Sequence, residues 1–422
     1  MSRFTSVAFL VPIKNKYGNN REFIKNFIDL GYDALFISDY YGLRGRSDEH
    51  VINWLNDLFK MAEKFEASYQ IKPKFILDVE GFRLNSNKTL RDMADRSPYV
   101  VAYHVIDEPD SHNNGTPDRP DVTPEDVDEL LTGSLNRLYT KPLMITFENQ
   151  AGIPNNRKWN YKNNTDGLYK SYMDVIDKHH LGTNYFGIDY YLFNRARKTP
   201  TTQGTIFDMM RYFTILVESH NRKNKAFAWT EPTLQGLGYM KPYNPRPISP
   251  RELKAQIWLY WVAGQQGIRG DFNYIFDHLF QGKKSWNPDG LNHIYYAEHK
   301  EVVKKANKLQ KGLSHLLHQE TIFLDVLEDL SKVQHLEDGI RASLKFEYTD
   351  KGIEILVMIV NTTNEPRKGC VCAPPLIHQF NPFELIEHEQ DKLMEFEFDT
   401  HGNLIVDMTS YGVLILRNKL ND

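Results

Sequence analysis

Two stretches decide the interpretation of this chain: VVAYHVIDEP, residues 100–109, and KAFAWTEP, residues 225–232. Each is an apolar run that ends in a glutamate followed by a proline, at Glu108 and Glu231. A proline disfavours the helical conformation in the residue before it and cannot donate a hydrogen bond to a neighbouring strand. We therefore expect two β-strands, each holding an extended glutamate at the point where the strand stops.

Similar β-rich runs alternate with helical patterns eight times before residue 318. Most of these runs are nearly continuously apolar, which is typical of parallel strands covered on both faces. Between them lie stretches such as residues 50–65, where apolar side chains recur every three or four positions, as on one face of a helix. The predicted strands span residues 6–12, 34–42, 74–82, 100–109, 141–149, 185–193, 225–232 and 267–276. Eight strand and helix pairs predict an α/β fold, a (β/α)₈ TIM barrel over residues 1–317.

The pattern changes in the last part of the chain. Segments there alternate apolar and polar side chains, and turn sequences such as residues 349–352 (TDKG) and 400–403 (THGN) separate them. This alternation is typical of antiparallel strands with one buried face. Residues 318–422 are therefore predicted to form a small C-terminal antiparallel β-sandwich domain.

Composition excludes several classes of partner. The formal net charge is −4 and the sequence has no run of clustered Lys and Arg, so a nucleic-acid surface is not expected. No apolar run approaches the length of a membrane span, and the first residues lack a signal-peptide pattern. We expect a soluble protein, cytoplasmic, or secreted if a leader has been removed.

No cofactor or metal is expected. Neither a GxGxxG after the first strand nor a GxxxxGK[ST] motif is present. His179 and His180 fall at the end of a predicted helix, and His104 stands alone within strand four, so no strand end offers paired histidines to a metal. Cys370 and Cys372 are too close in sequence to form a good disulfide with each other.

The two glutamates suit the hydrolysis of a glycoside. That reaction needs one carboxyl group to protonate the leaving oxygen and a second to attack or stabilise the sugar carbon. In retaining enzymes the two groups lie roughly 5–5.5 Å apart, a separation that Glu108 and Glu231 could reach across the mouth of a barrel.

In strand order and in these two motifs, the sequence resembles the retaining glycoside hydrolases of clan A over residues 1–315. The resemblance implies that Glu108, ending strand four, is the general acid/base and that Glu231, ending strand seven, is the nucleophile. It implies a glycoside hydrolase that cleaves a β-linked glycan, an oligosaccharide or a polysaccharide, by double displacement. The oligomeric state stays open.

Asp107 departs from the clan pattern, because many members have asparagine before the acid/base glutamate. Aspartate can accept a hydrogen bond from a sugar hydroxyl but cannot donate one. An Asp-Glu pair at a strand end also resembles substrate-assisted hexosaminidases, in which the substrate's acetamido group is the nucleophile. That mechanism, with Asp107 and Glu108 as the pair, is one alternative, and a non-catalytic carbohydrate-binding barrel is another.

Further residues at the predicted strand ends are candidates for binding the substrate. Polar side chains there could hydrogen-bond sugar hydroxyls, and tryptophans could stack on sugar rings. By the resemblance to the clan, Tyr190 or Tyr191 would donate to the nucleophile and keep it ionised; the alternative for one of the two is packing inside the barrel. The candidates are Asp39, Tyr40, Asp107, Glu148, Asn149, Asp189, Tyr190, Tyr191, Trp229, Asp271 and Trp286.

Overall fold

A computed structural model gives the architecture of the chain. The structure describes residues 6–8, 24–25, 28–37, 43, 45–110, 120–147, 165–189, 203–230, 249–265, 270–271, 296–328, 339–372, 383–387 and 397–418.

Eight parallel strands form a closed barrel, in chain order around its circumference. Strand β1 pairs with β2 on one edge and with β8 on the other, which closes the ring. The strands are β1 (Val7–Ala8), β2 (Ala34–Ile37), β3 (Phe75–Asp78), β4 (Val100–Asp107), β5 (Leu143–Phe147), β6 (Tyr185–Asp189), β7 (Lys225–Thr230) and β8 (Gly270–Asp271). The predicted (β/α)₈ barrel is confirmed, and each described strand lies within its predicted range.

Helices separate the strands along the chain. They are α1 (Asp48–Tyr69), α2 (Lys88–Arg96), α3 (Pro124–Thr132), α4 (Thr165–His179), α5 (Gln203–His220), α6 (Pro250–Val262), α7 (Tyr296–Gly312) and α8 (Ser314–Leu317). Both α3 and α6 begin with a capping box, from Thr123 with Asp126 and from Ser249 with Glu252. In each box a hydroxyl oxygen accepts a backbone N–H of the first turn while an acid accepts the capping residue's own N–H, so the helix start is fixed locally.

The barrel interior is filled by alternate strand residues. Its buried cluster consists of Val7, Ala34, Phe36, Ile76, Ala102, Met144, Tyr185 and Phe227. Gly187 of β6 leaves the space that the Phe227 ring of β7 fills, because a methyl group at Gly187 would stand 2.1 Å from a ring carbon. The interior is therefore a packed core, as is usual for an eight-stranded barrel.

Within the described residues, nine further strands follow the barrel and form two antiparallel sheets, ordered β10-β13-β16-β15 and β14-β17-β12-β11-β9. One cluster of buried apolar side chains draws on both sheets, including Val357 of β12 and Val406 of β16. A core shared by two sheets is the arrangement of a β-sandwich. The strands are β9 (Ile322–Leu324), β10 (Val326–Glu328), β11 (Ile340–Thr349), β12 (Gly352–Asn361), β13 (Arg367–Val371), β14 (Phe383–Glu387), β15 (Glu397–Phe398), β16 (Leu404–Met408) and β17 (Val413–Asn418).

The chain divides into two compact units. The first comprises Met1–Tyr190, Ile215–Thr233 and Gly267–Ser285, and the second comprises Tyr191–Thr214, Leu234–Gln266 and Trp286–Asp422. All eight barrel strands belong to the first unit, whereas α6 and α7 belong to the second together with the antiparallel sheets. The predicted boundary between residues 317 and 318 stays a prediction. Within the described residues, no helix is both long and apolar enough to span a membrane.

Candidate functional site

Glu108 directly follows β4, at the carboxyl end of the barrel where barrel enzymes place their sites. Its backbone N–H donates to the carbonyl oxygen of Thr146 in β5 at 2.7 Å. Its φ is +48°, so the prediction of an extended glutamate is wrong at this position. Glu108 keeps its hydrogen bond to β5 while the chain turns away from the strand. Meeting both conditions outweighs the preference for an extended conformation that Pro109 imposes.

The left-handed conformation of Glu108 has an energetic cost. A side chain with a β-carbon is crowded at positive φ, and such a residue costs on the order of 1–3 kcal/mol unless its surroundings enforce the geometry. Strain of this kind is concentrated at functional sites. Among the described residues, five non-glycine residues have a positive φ, and Glu108 is the one of them that directly follows a barrel strand.

A β-bulge changes the face on which Asp107 lies. His104 pairs with Met144, but Asp107 pairs with Thr146. A step of three residues along β4 therefore corresponds to a step of two along β5. Met144 belongs to the barrel interior, and residues paired across a parallel ladder share a face. Asp107 therefore lies, by register, on the inner face at the rim, where it is exposed. Bulges next to active sites commonly re-aim a side chain in this way.

The segment after Glu108 is anchored by two buried tyrosines of α4. Tyr169 Oη donates to the fully buried Asp110 carboxylate, with 3.4 Å between Oη and Oδ2, and Tyr172 Oη donates to the carbonyl oxygen of Val122. Both rings pack on Phe147 at the end of β5, with centroid distances of 4.8 and 5.4 Å. The segment that follows Glu108 is thus bonded to buried side chains, which limits the movement of Glu108.

Within the barrel, β4 carries a buried histidine below this rim. His104 is 1% exposed; its Nε2 lies 3.2 Å from Oγ1 of Thr146, and its ring centroid is 4.5 Å from that of Phe36. Burial lowers the pKa of His104 to about 3, so the imidazole is neutral at physiological pH. It packs inside the barrel, and within the described residues no group of three or more His, Cys, Asp or Glu could hold a metal ion.

The outer face of β4 is braced by a charged cluster on α2. Tyr103 Oη donates to Asp95 at 2.7 Å, and the same carboxylate accepts from Arg91 at 3.1 Å and from Arg137 at 2.8 Å. Arg91 is almost fully buried and lies 3.4 Å over the ring of Tyr139. Burial, followed by the charge of Asp95, raises the pKa of Tyr103 above its ordinary value. This network supports the strand that presents Glu108.

A second polar network joins the starts of β5, β6 and β7. The side-chain oxygen of fully buried Asn184 accepts the backbone N–H of Leu143 at 3.1 Å, and its amide nitrogen donates to Asp177 at 2.8 Å. Asn224 also donates to Asp177. Hydrogen bonds at the amino end of a barrel contribute to stability rather than to chemistry. As predicted, α4 ends at His179, whose Nε2 lies 2.6 Å from Asp128.

Glu231 lies outside the described residues, but it directly follows Thr230, the last residue of β7. The structure describes the backbone of three other candidates. Asp189 of β6 pairs with Trp229 of β7, and Asp271 of β8 pairs with Thr230, so these positions share the carboxyl rim of the barrel. Candidates outside the described residues are Asp39, Tyr40, Glu148, Asn149, Tyr190, Tyr191 and Trp286.

Two residues that sequence reasoning missed are Asp110 and Tyr169. Asp110 is two positions after Glu108 and could have been noticed as a polar residue in the same strand-end motif. Tyr169 is 59 positions from Asp110, and no sequence signal connects them.

Comparison with known proteins establishes the fold alone. No protein-family model and no curated protein matches the sequence. A solved glycoside hydrolase family 5 structure from Bacteroides vulgatus ATCC 8482 is 11% identical, with a TM-score of 0.51 over 99% of this chain and 90% of the other. The chain shares its barrel fold. A second structure, titled a glycoside hydrolase, is 10% identical with a TM-score of 0.51, over 99% of this chain and 93% of the other. The expected likeness to glycoside hydrolase barrels is confirmed.

Proposed function

We propose that this chain is a glycoside hydrolase that cleaves a β-linked oligosaccharide or polysaccharide with retention of configuration. Glu231 attacks the sugar carbon, while Glu108 protonates the leaving oxygen and then activates water. The observation that carries the proposal is the closed parallel barrel with a glutamate directly after β4 and another directly after β7. Strand ends of this kind present side chains to a shared mouth.

Three further features support this proposal. The β4 end is fixed by the hydrogen bond from Glu108 to Thr146 and by the buried Asp110 to Tyr169 contact, and catalysis requires a positioned acid. Glu108 holds a strained backbone conformation. The two solved structures compared above are themselves called glycoside hydrolases.

The nucleophile is tested with Glu231→Gln. On a panel of aryl β-glycosides, kcat should fall by several orders of magnitude with the circular dichroism spectrum unchanged, because the covalent intermediate cannot form. Azide should restore cleavage by Glu231→Ala, whose shorter side chain leaves space for this external nucleophile, and should give a glycosyl azide of inverted configuration. Near-normal turnover by Glu231→Gln would refute the assignment.

The acid/base role is tested with Glu108→Gln and two leaving groups. A dinitrophenolate leaves without protonation, so its release should survive in a burst before slow hydrolysis, whereas an unactivated alkyl or sugar leaving group should not be cleaved at a measurable rate. Equal loss on both substrates in the burst phase would show that Glu108 does not act as the acid.

A substrate-assisted mechanism has one specific observation in its favour, the position of Asp107. The bulge places Asp107 on the inner face level with Thr146, directly before Glu108, where it could orient an acetamido group. In this case, only N-acetylhexosaminides would be cleaved, Asp107→Asn would abolish turnover, and Glu231→Gln would reduce binding without abolishing turnover. A non-catalytic barrel would bind glycans and cleave none of the panel.

The remaining rim candidates are proposed to bind sugar hydroxyls or rings. Asp189, Trp229 and Asp271 have the strongest support, because Trp229 lies on β7, the strand that precedes Glu231, and Asp189 and Asp271 lie on its two neighbours. Substitution of Trp229 by alanine should raise KM more than it lowers kcat if it only binds substrate.

A further inference from the structure

A groove runs between α6 and α7 in the second compact unit. It is a cleft open to solvent with a volume of about 510 Å³, which is within the size range of small-molecule sites. Its floor is apolar and recessed, formed by the buried Trp258 of α6 and by Val302 and Ala306 of α7. We call this feature the helix groove.

The walls of the helix groove are cationic. Among the residues that the structure describes, five basic side chains line it, Arg251, Lys254, Lys304, Lys305 and Lys308, against one acidic side chain, Glu301. The chain as a whole carries a formal charge of −4, so the sign of the charge is reversed at this place. A cleft lined by one sign of charge attracts ligands of the opposite sign.

Four of the five basic side chains form two rows, one along each of the two helices that line the groove. Lys304 and Lys308 are four residues apart on α7, and Arg251 and Lys254 are three residues apart on α6. At 1.5 Å per residue these spacings are about 6 Å and about 4.5 Å along the helix axes. Such a repeat suits a linear ligand that carries a negative charge on successive units more than a single compact anion.

The lining chemistry favours a ligand that consists mainly of hydrogen-bond acceptors. Lys and Arg only donate, and Glu301 is the one acceptor side chain among the lining residues within the described part of the chain. A peptide N–H can only donate, whereas a sugar hydroxyl can also accept a hydrogen bond from Lys or Arg. An anionic membrane surface would need apolar side chains that project outward, whereas Trp258 is buried at the bottom of a concave groove.

We propose that the helix groove binds an anionic oligosaccharide whose sugar units carry carboxylate groups. The carboxylates meet the rows of Lys and Arg, and the flat apolar faces of the sugar rings lie towards the floor. This binding site uses none of the strand-end residues, so it goes beyond the proposed hydrolysis and does not depend on it.

The test measures binding of a purified oligogalacturonate tetramer to the full chain by isothermal titration calorimetry, with a neutral tetrasaccharide as comparison. Lys304→Glu/Lys308→Glu should weaken binding of the charged tetramer roughly tenfold or more, since two favourable charge contacts become repulsive. The control Arg222→Glu/Lys223→Glu changes the same number of charges at an exposed turn before β7 and should leave the affinity unchanged. Added salt should weaken binding to the parent chain.

Several outcomes would overturn the proposal. They are an absence of oligogalacturonate binding, equal loss in both double variants, or binding of the neutral tetramer that is equally sensitive to Lys304→Glu/Lys308→Glu. Saturable binding of a polyglutamate peptide or of phosphatidylserine vesicles that depends on Lys304 and Lys308, without such binding of oligogalacturonate, would assign the groove to another partner. Circular dichroism checks that both variants are folded. Because the readout is binding, loss of activity in Glu231→Gln leaves this result unaffected.

Discussion

His104 links the stability of the barrel to pH. In the folded chain its pKa is lowered by burial to about 3 from an ordinary value of 6.5. At a pH between these two pKa values, His104 binds a proton in the unfolded chain but not in the folded barrel. Because the folded pKa is the lower one, the contribution of His104 to stability is complete above pH 6.5 and is lost as the pH falls towards 3.

The size of this effect follows from the pKa difference. One pKa unit corresponds to about 1.4 kcal/mol, so at pH 4.5 the parent chain should have lost about 2–3 kcal/mol of unfolding free energy through His104 alone. His104→Gln removes the titrating group and retains a polar side chain near Thr146. The free energy lost between pH 7.5 and 4.5 should therefore be smaller in the variant by about 2–3 kcal/mol.

Urea unfolding followed by far-UV circular dichroism at the two pH values measures this difference. Any stability that the substitution costs by itself cancels, because only the change with pH is compared. His50→Gln, at an exposed position on α1, is the control and should behave like the parent. Identical pH dependence in the parent and in His104→Gln would refute the argument that burial excludes the proton.

Three further sets of substitutions test the backbone conformation and the packing of the chain. Glu108→Gly should be about 1 kcal/mol more stable in urea unfolding than Glu108→Ala, because glycine adopts a φ of +48° without steric cost. Gly187→Ala should lower stability by about 1–3 kcal/mol through overpacking against Phe227, and Phe227→Leu in the same chain should recover part of the loss. Lys345→Met should cost about 2–4 kcal/mol, because the buried ammonium donates to the carbonyl oxygen of Leu317 at 2.9 Å.

Matched controls separate these effects from general disruption. Glu80 is exposed in the turn after β3 and has no positive φ, so Glu80→Gly should be no more stable than Glu80→Ala. If glycine stabilised the chain equally at both positions, backbone strain at Glu108 would not explain the difference. Lys351 is exposed at a hairpin turn, and a cost of Lys351→Met equal to that of Lys345→Met would contradict the assigned role of the buried ammonium.

The barrel could be predicted because each strand has a recognisable local sequence pattern. The apolar runs around Ala102 and Phe227 are continuous, and the helix starts at Thr123 and Ser249 carry their capping acids within three residues. Parallel strands joined by helices have few possible arrangements, so counting them was sufficient to give the order. The same reasoning located the strand ends, and with them the candidate glutamates.

The details of the β4 end were beyond the sequence pattern. Strict alternation along the strand would put Asp107 and His104 on opposite faces, but the bulge puts both side chains on the same face. The rule for a residue before proline gave an extended Glu108, and the hydrogen bond to Thr146 overrode that rule. Each outcome depends on a partner about 40 positions away, and local propensities contain no information about such partners.

Closure of the barrel has a consequence for how the chain is made. Strand β1 needs β8 as its second neighbour, and Ala8 pairs with Asp271. A ribosome adds about 5–20 residues per second, so one edge of β1 waits for at least roughly 13–50 s after it emerges. An unpaired strand edge can recruit other chains. Newly made barrels are therefore most prone to aggregate before β8 has been synthesised, and slower translation lengthens that period.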